Sequence, residues 1–249
     1  PTKRTWGAEV FPGSSLPNAM VQVSPVTKFH SGAGYQYEDS VIYGFTHTNK
    51  GHWNLCHIPL LPVTGTPTPG DYCSPFSHER ESAAPGYYQV FLDRYGVDAQ
   101  LSSTLRCAFH KYTYPAGAAA SLLADLQRSN EHVRAWDIRK EGDNVFAGWQ
   151  QTGEKMYFYA VANRPVTGIE PVVEGDREVR IVRFGEGDGA LELRIGFSFV
   201  SEKNARENLE AEMLGKSFAE VRSEATATWN DLLGRIRVEG GTEREKGLF

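Results

Sequence analysis

The segment YGFTHTNKGHWNLCHIPLLP concentrates the side chains of this sequence that could do chemistry. Between Tyr43 and Pro62 it holds three histidines, a tryptophan, a lysine and two asparagines. Such residues could bind a metal ion, exchange protons in catalysis or contact a sugar. Because the segment is rich in turn-forming residues, a crowded structural loop is the fourth interpretation.

The spacing of the histidines argues against a zinc site. His47, His52 and His57 recur every five residues, which matches neither a helical pair nor the two-residue step along one face of a strand. The sequence also has no nucleophile elbow of the kind found in serine hydrolases. We therefore expect structural or surface histidines rather than metal ligands or members of a catalytic triad.

Glycosidase chemistry needs two carboxyl groups that flank the scissile bond. Glu38 and Asp39 are adjacent, and neighbouring residues of a strand point to opposite faces of the sheet. Nothing in the sequence marks a second carboxylate for either of them. We therefore expect no catalytic residues in this chain.

The stretch NKGHWN suits a sugar-contacting surface better. Proteins meet the apolar faces of sugars with aromatic rings and the polar edges with hydrogen-bonding side chains. Trp53 lies between His52 and Asn54, Lys50 adds a donor, and Gly51 lets the backbone approach closely. The alternative, in which Trp53 caps the core and its polar neighbours are solvated, fits the composition equally well.

The composition is ordinary for a globular protein. Of 249 residues, 40% are hydrophobic and 23% charged, and the net charge is −5 with no basic stripe, which argues against nucleic acid as a partner. No apolar run is long enough to span a membrane, and the first residues lack an apolar signal core. Cys56, Cys73 and Cys107 match no zinc pattern, so we expect three buried thiols; one disulfide plus a free thiol is the alternative.

Period-two patterns predict β-strands up to about residue 200. In LELRIGFSF, Leu191 to Phe199, apolar residues alternate with polar or small ones, and LRCAFHKY, EVRIVRF, KMYFYAV, YYQVFL and VRAWDIR also indicate strands. Trp136 and Trp149 fall in these patterns, which favours packing roles. Gly- and Asp-rich turns separate the strands, so the sequence predicts a mainly β fold, a large antiparallel sandwich.

The chain becomes helical after Ser201. Gly215 divides a short helix from a long one, and the long helix begins with a capping box at Ser217 and Glu220. Its apolar stripe needs a partner surface: Phe218, Val221, Ala225, Trp229, Leu232 and Ile236. We predict a sandwich over residues 1–201, a helical linker over 202–239, and the first turn of another helix in 240–249.

The ordered blocks FPGSSLPNAMVQVSP, GYQYEDSVIYGFTHTN and SPFSHERESAAPGYYQVFLDRYGVDAQLSSTLRCAFHKYTYP closely resemble the N-terminal domain of glycoside hydrolase family 92. The resemblance continues through IGFSFVSEKNARENLEAE and ATWNDLLGRIRVEGGT. This family comprises exo-acting, mostly bacterial α-mannosidases. The resemblance implies a β-sandwich joined by a helical linker to an (α/α)₆ catalytic barrel, whose start we expect in residues 240–249 and whose remainder this chain does not contain.

The resemblance also implies a mechanism and a place for this chain in it. Hydrolysis in the family inverts the anomeric centre and depends on calcium, and both the catalytic carboxylates and the calcium ligands lie in the barrel. The N-terminal domain supplies part of the mannoside pocket through loops that correspond to residues 30–39 and 47–54. The substrate-binding residues expected from those loops are Gly34, Tyr35, His47, Lys50, Gly51, His52 and Trp53.

One departure bears on specificity. Many relatives that cleave α-1,2 linkages carry a stretch like SHTHLSGTG where this chain has THTNKGHWNLCH. That loop lies by the leaving-group sugar in the family, so we expect Lys50, His52 and Trp53 to influence the linkage preference. The resemblance further implies a secreted, periplasmic or cell-surface enzyme. A free-standing mannose-binding module and a purely structural interaction domain remain the alternatives.

Overall fold

Two large antiparallel β-sheets and a helical C-terminal part make up the structure. The computed structural model describes residues 10–50, 53–237 and 239–247. Within these ranges the strands precede all three α-helices, as the sequence predicts. The mainly β fold with a helical C-terminal part is therefore confirmed.

Strands are numbered in chain order, and the first sheet contains seven of them. In spatial order they are β1 (Ser14–Ser15), β2 (Gln22–Val26), β4 (Gly44–Thr46), β7 (Leu60–Val63), β13 (Ser121–Ala124), β18 (Arg177–Phe184) and β17 (Val166–Glu174). Neighbouring strands in this sheet pair antiparallel.

The second sheet contains eight strands. In spatial order they are β14 (Ala135–Gly142), β15 (Val145–Gln151), β16 (Lys155–Ala162), β19 (Leu191–Ser198), β12 (Cys107–Thr113), β11 (Val97–Ser103), β10 (Tyr87–Leu92) and β9 (Glu81–Ala84). The short strands form two ribbons, β3 (Val41–Ile42) with β8 (Ser74–Pro75), and β5 (Asn49–Lys50) with β6 (Trp53–Asn54). A single 3₁₀ turn, His78–Arg80, precedes β9.

The inner faces of the two sheets share one apolar core. Phe45 on β4 contacts three rings of the second sheet, with centroid distances of 6.4 Å to Tyr88, 6.3 Å to His110 and 6.3 Å to Tyr112. Phe146 on β15 meets Phe184 at 6.3 Å further along. Burying apolar surface at about 25 cal/mol per Å² makes this interface the main source of stability.

Helices α1 (Glu202–Glu212) and α2 (Phe218–Leu233) cover the middle part of the outer face of the second sheet. Ser201 caps α1, and Ser217 with Glu220 forms the predicted capping box of α2. A second apolar cluster lies between sheet and helices: Tyr87, Cys107, Phe109, Leu209, Met213, Phe218 and Val221. The structure thus has three layers: sheet, sheet and helices.

Helix α2 packs on the sandwich only as far as Trp229. Val221 and Ala225 are buried, and the indole nitrogen of Trp229 donates a hydrogen bond to the carbonyl oxygen of Ser15, 2.7 Å away. Beyond this point the apolar stripe is uncovered, since Leu232 and Ile236 are 38% and 68% exposed. A third helix, α3 (Glu243–Lys246), follows, and no helix in the described ranges is long and apolar enough to cross a membrane.

Three side chains in the predicted strands differ in burial from what the alternating pattern indicates. Leu105 and Phe199, expected on buried faces, lie just outside β12 and β19 and are 47% and 39% exposed. His110, on the face opposite Cys107, is fully buried because β12 lies in the middle of the sheet and both of its faces are covered. All three cysteines are free thiols, and Cys73 is half-buried rather than buried. The sandwich–linker boundary at 201/202 and the assignment of 240–249 to a barrel stay predictions.

Gly196 on β19 sets how closely α1 approaches the sheet. A Cβ atom there would lie 2.1 Å from the carbonyl oxygen of Ala205 in the helix. We expect Gly196→Ala to reduce the free energy of unfolding by about 1–3 kcal/mol because the helix must move outward. Chemical denaturation measures this, with Gly168→Ala on β17 as the control, since a Cβ there meets no atom within 4 Å. Equal stability of the two variants would contradict the close contact.

Candidate functional site

The hairpin formed by β5 and β6 carries the side chains that the sequence singles out. Lys50 pairs with Trp53 across it, and Asn49 pairs with Asn54. Lys50 is exposed and Trp53 is half-buried, so part of the Trp53 side chain faces solvent. Gly51 and His52, at the tip between them, lie outside the described residues.

Asn54 anchors the base of this hairpin. Its side-chain oxygen accepts hydrogen bonds from the N–H of Cys56 at 2.7 Å and from the hydroxyl of Thr46 at 3.4 Å. Its side-chain nitrogen donates to the carbonyl oxygen of Ala33 at 3.2 Å, and its N–H donates to that of Gly32 at 2.8 Å. The loop around residue 33 and the hairpin are not paired with each other as strands. They are joined instead by the hydrogen bonds of the buried residue Asn54.

A second amide, that of Asn130, ties the same two segments to a third. Its side-chain oxygen accepts from the N–H of His30 at 2.6 Å, its side-chain nitrogen donates to the carbonyl oxygen of Asn54 at 2.6 Å, and its own N–H donates to that of Leu55 at 3.0 Å. Sequence reasoning missed Asn130, because an asparagine after Ser129 in a polar stretch carries the signal of an ordinary turn.

Two of the expected binding residues lie beneath this surface. Gly34 has a φ of +72°, and a Cβ atom there would lie 2.8 Å from the side-chain nitrogen of Asn54, so glycine is required for both conformation and space. Tyr35 is 3% exposed, and its hydroxyl donates to the Glu81 carboxylate at 3.0 Å. Both residues therefore shape the loop from the inside.

His47 is fully buried between the two sheets. Its Nε2 atom lies 3.0 Å from Nε2 of His110, whose Nδ1 atom lies 2.6 Å from the hydroxyl oxygen of Tyr112. One of the two facing nitrogens carries the hydrogen and the other accepts it, so at least the accepting ring is neutral. Burial lowers the pKa of His47 to about 3 and lowers the pKa of His110 well below its ordinary value.

His57 is buried as well, but its partners lead to the surface. Its Nδ1 atom lies 2.8 Å from the hydroxyl of Thr48, and its Nε2 atom lies 3.0 Å from that of Thr152. The Thr152 hydroxyl donates to the carboxylate of Glu131 at 2.6 Å. Burial lowers the pKa of His57, and the nearby carboxylate of Glu131 opposes that effect. The side chains of His47 and His57 are therefore both buried and hydrogen-bonded within the domain.

A cleft of about 780 Å³ opens beside the hairpin. Its walls come from the loop after β13, the start of β14, Arg177 on β18, and His30. Trp136 packs against the main apolar core, which confirms the packing role expected from the sequence, and it also lines this cleft. Trp149, on the neighbouring strand, faces the opposite side of the sheet, where the ammonium of Lys155 lies 3.6 Å from its ring centroid.

The described residues contain no group of three or more His, Cys, Asp or Glu side chains that could hold a metal ion. The adjacent carboxylates do not form a catalytic pair either: Glu38 is exposed, whereas Asp39 accepts a hydrogen bond from the Thr27 hydroxyl at 2.8 Å and holds the loop. The described part of the hairpin offers an aromatic ring on Trp53, an ammonium group on Lys50 and main-chain groups.

Comparison with known sequences identifies the family. The model of the glycosyl hydrolase family 92 N-terminal domain matches residues 2–209, and the model of the family's catalytic domain matches residues 204–249. The chain therefore belongs to glycosyl hydrolase family 92. The two matches overlap within α1, over residues 204–209. Helix α2 lies entirely within the match to the catalytic domain.

Individual relatives agree with this. An uncharacterized secreted glycosidase of Arthroderma benhamiae is 24% identical over 94% of this chain and 37% of its own length. A GH92 α-mannosidase of Bacteroides thetaiotaomicron has a TM-score of 0.85 at 25% identity, over 94% of this chain and 37% of that one. A further GH92 glycosyl hydrolase has a TM-score of 0.83 at 27% identity, over 97% and 37%. The chain thus spans just over a third of the length of these relatives.

The buried histidines predict a pH dependence of stability. Folded His47 stays neutral, with a pKa of about 3, whereas the unfolded chain binds a proton near the ordinary value of 6.5. The unfolded state therefore binds more protons between these values, and stability falls as the pH falls. From pH 7 to pH 5 the loss from His47 alone is about 2 kcal/mol in the free energy of unfolding, measured by chemical denaturation.

His47→Gln is the control, because it removes the titrating ring and keeps a polar side chain. Carboxyl groups with ordinary pKa values titrate mostly below this pH range, so they contribute little to the difference. We expect a smaller loss of stability on acidification in the variant than in the wild type. The same loss in both proteins would show that His47 is protonated in the folded state.

Proposed function

We propose that this chain acts as the N-terminal part of an exo-acting α-mannosidase, packs on a catalytic domain and supplies one wall of the mannoside-binding pocket. Membership of family 92 supports the hydrolase class. The Bacteroides relative is named an α-mannosidase and has also been solved in complex with mannoimidazole, again with a TM-score of 0.85 to this chain. These relatives favour α-mannosides as the substrate class.

The observation that carries the pocket role is the meeting of the two expected loops. Asn54 and Asn130 bind both the segment 30–34 and the hairpin, so the two form one rigid surface. A rigid surface presents the Trp53 ring and the Lys50 ammonium at fixed positions, which reduces the entropy lost when a sugar binds. Direct contact with the glycan falls to the hairpin: Lys50, Gly51, His52 and Trp53.

The remaining expected residues act indirectly in this proposal. The side chains of His47 and Tyr35 are buried, and Gly34 packs against Asn54. They hold the shape of the surface without touching the sugar. We therefore assign the linkage preference to the hairpin tip and the shape of the wall to these three residues.

The uncovered end of α2 supports docking of a catalytic domain. Leu232, Leu233 and Ile236 are 38%, 59% and 68% exposed, and they continue the stripe whose first half packs on the sandwich. An apolar stripe in contact with water marks an interaction surface. The match of the catalytic-domain family model to residues 204–249 makes that domain the partner we propose.

The bond cleavage itself belongs to the catalytic domain in this proposal. Inversion needs a general acid and a general base on opposite faces of the sugar, and we assign neither role to the residues that the structure describes. Calcium does not fit the described residues, which offer no cluster of carboxylates to bind it. This chain would instead bind the leaving-group side of the glycan, orient it and exclude water around the hairpin.

We also propose that the enzyme acts outside the cytoplasm, by secretion, in the periplasm or at the cell surface. The relative from Arthroderma benhamiae is named a secreted glycosidase.

Mannose release tests the function. We expect no release from α-linked mannobioses by this chain alone. We expect turnover by a polypeptide that also carries the family's catalytic domain, and loss of that turnover with a calcium chelator. Saturable mannose binding by the 249-residue chain alone would instead support a free-standing binding module. Turnover by this chain alone would overturn the proposal and return Glu38 and Asp39 to consideration.

Replacing the hairpin tryptophan tests the pocket wall. We expect Trp53→Ala in the longer polypeptide to lower kcat/KM on mannobioses by about 10- to 100-fold, because an aromatic stacking partner of the sugar is lost. Trp149→Ala is the matched control, since that ring lies on the outer face of the second sheet beside Lys155. Equal activity of the two variants would exclude Trp53 from the pocket.

A further inference from the structure

The cleft beside the hairpin has no role in the function proposed above, although it adjoins the same surface. It measures about 780 Å³ and is lined by the loop after β13 and the start of β14. Its polar and aromatic walls include Gln127, Arg128, Glu131, Arg134, Trp136 and Arg177. An open cavity of this size exceeds what one water cluster or one ion needs, and it lies in the range of ligand sites.

We propose that this cleft is a subsite for the sugar units of a neutral oligosaccharide beyond the pair whose linkage is cleaved. The inference deepens the proposed function and rests on it. It assigns to segment 127–136 a role in binding longer substrates, and it makes Trp136 the ring on which a distal sugar stacks.

Continuity with the hairpin is the first argument. His30 lines the cleft, and its N–H is held by the side chain of Asn130. The same side chain donates to the carbonyl oxygen of Asn54, the residue directly after Trp53. Asn130 therefore connects the hairpin to His30 and to the loop that lines the cleft. A chain of sugars that passes the hairpin would meet the cleft next.

The charges of the cleft favour a neutral ligand over an anion. The Arg177 guanidinium donates to the buried carboxylate of Asp125 at 2.6 Å, and the Arg128 guanidinium stacks over the ring of Phe29 at 4.3 Å. Glu131 adds a further carboxylate to the wall. The cleft is thus lined by three arginines; Asp125, behind the wall, offsets the charge of Arg177, and Glu131 offsets a second one, so little positive charge remains for an anionic group.

The chemistry of the walls fits a sugar. Trp136 is half-buried and stacks with the Arg180 guanidinium, 5.2 Å from its ring centroid, so the ring is held in place. The exposed side chains of Arg134 and Glu131 offer donors and acceptors of the kind that hydroxyl edges require. An aromatic platform surrounded by planar polar groups is the arrangement that sugars match.

The floor of the cleft is fixed before a ligand arrives. The side-chain nitrogen of Gln150 donates to the carbonyl oxygens of Leu126 and Arg128, each at 2.9 Å, and its side-chain oxygen accepts from the N–H of Ile58 at 2.8 Å. Gln150 is fully buried, so these bonds are protected from water. A preformed subsite loses less entropy on binding than a mobile loop does.

Substrate length is the variable that tests the subsite. In the polypeptide that carries the catalytic domain, we expect Trp136→Ala to raise KM for α-mannotriose and α-mannotetraose about 5- to 10-fold, the loss of one stacking contact. KM for mannobiose should stay unchanged, since mannobiose ends before the cleft. Trp149→Ala should change neither value, because its ring lies on the opposite face of the sheet.

Arg134→Ala provides a second variant in case Trp136→Ala folds poorly, because Arg134 is exposed and forms no ion pair among the described residues. We expect the same length-dependent rise in KM. Equal effects of both substitutions on mannobiose and mannotriose, or no effect on either, would overturn the subsite.

A wild-type enzyme that releases no mannose from any of these substrates would refute the proposed function itself. The subsite is then decided by titrating the wild-type and Trp136→Ala chains with mannotriose and following tryptophan fluorescence. A saturable change in the wild type alone supports the subsite, and no change in either chain overturns it.

Discussion

The middle strands of the second sheet must be covered on both faces, and the layering of the structure follows from this requirement. In β12, Ala108 and His110 face the first sheet, whereas Cys107 and Phe109 face the helices, and all four are fully buried. A sheet that is apolar on both sides is stable only as the middle of three layers. The helices are therefore part of the folded unit, although the sequence after Ser201 reads as a linker.

The edges of this layered core determine where function can reside. Strands β5 and β6 belong to neither large sheet, so the hairpin projects from the sandwich and depends on its own anchors. Those anchors are side-chain amides bonded to main-chain groups, principally at Asn54 and Asn130. Such bonds are neutral, so they avoid the desolvation cost that a buried ion pair would carry in the same place.

The sequence predicts regular elements well and three-dimensional neighbourhoods poorly. Strands such as β10 and β19 and the capping box of α2 follow from local patterns, because period and capping are properties of a few consecutive residues. Whether a strand is covered on both of its faces depends on its position in the sheet. That position comes from pairing between distant segments, which explains why His110 in the core and the exposure of Leu105 and Phe199 were not anticipated.

In the candidate site, too, the sequence identifies individual residues but not the contacts between distant segments. Residue types marked Lys50 and Trp53, and the family resemblance marked the loop around Gly34. Neither signal could identify Asn130 or the cleft lined by Trp136. The hydrogen bonds of Asn130 join residues 76 and 100 positions apart, and such contacts cannot be read from a local sequence pattern. Trp136 and Trp149 look alike in their strand patterns, and only the pairing register places them on opposite faces of the sheet.

Among the described residues, the anchors of the hairpin lie at its base, at Asn54, and use mostly main-chain partners. Cys56, Ala33 and Gly32 bond to Asn54 through atoms that every amino acid possesses. The tip can therefore be rewritten without disturbing the scaffold, in the way that loops of an immunoglobulin are exchanged on a constant framework. Because the anchors are separate from the tip, the tip sequence could be exchanged while the anchors stay in place. The tip is therefore a practical position for grafting new recognition sequences.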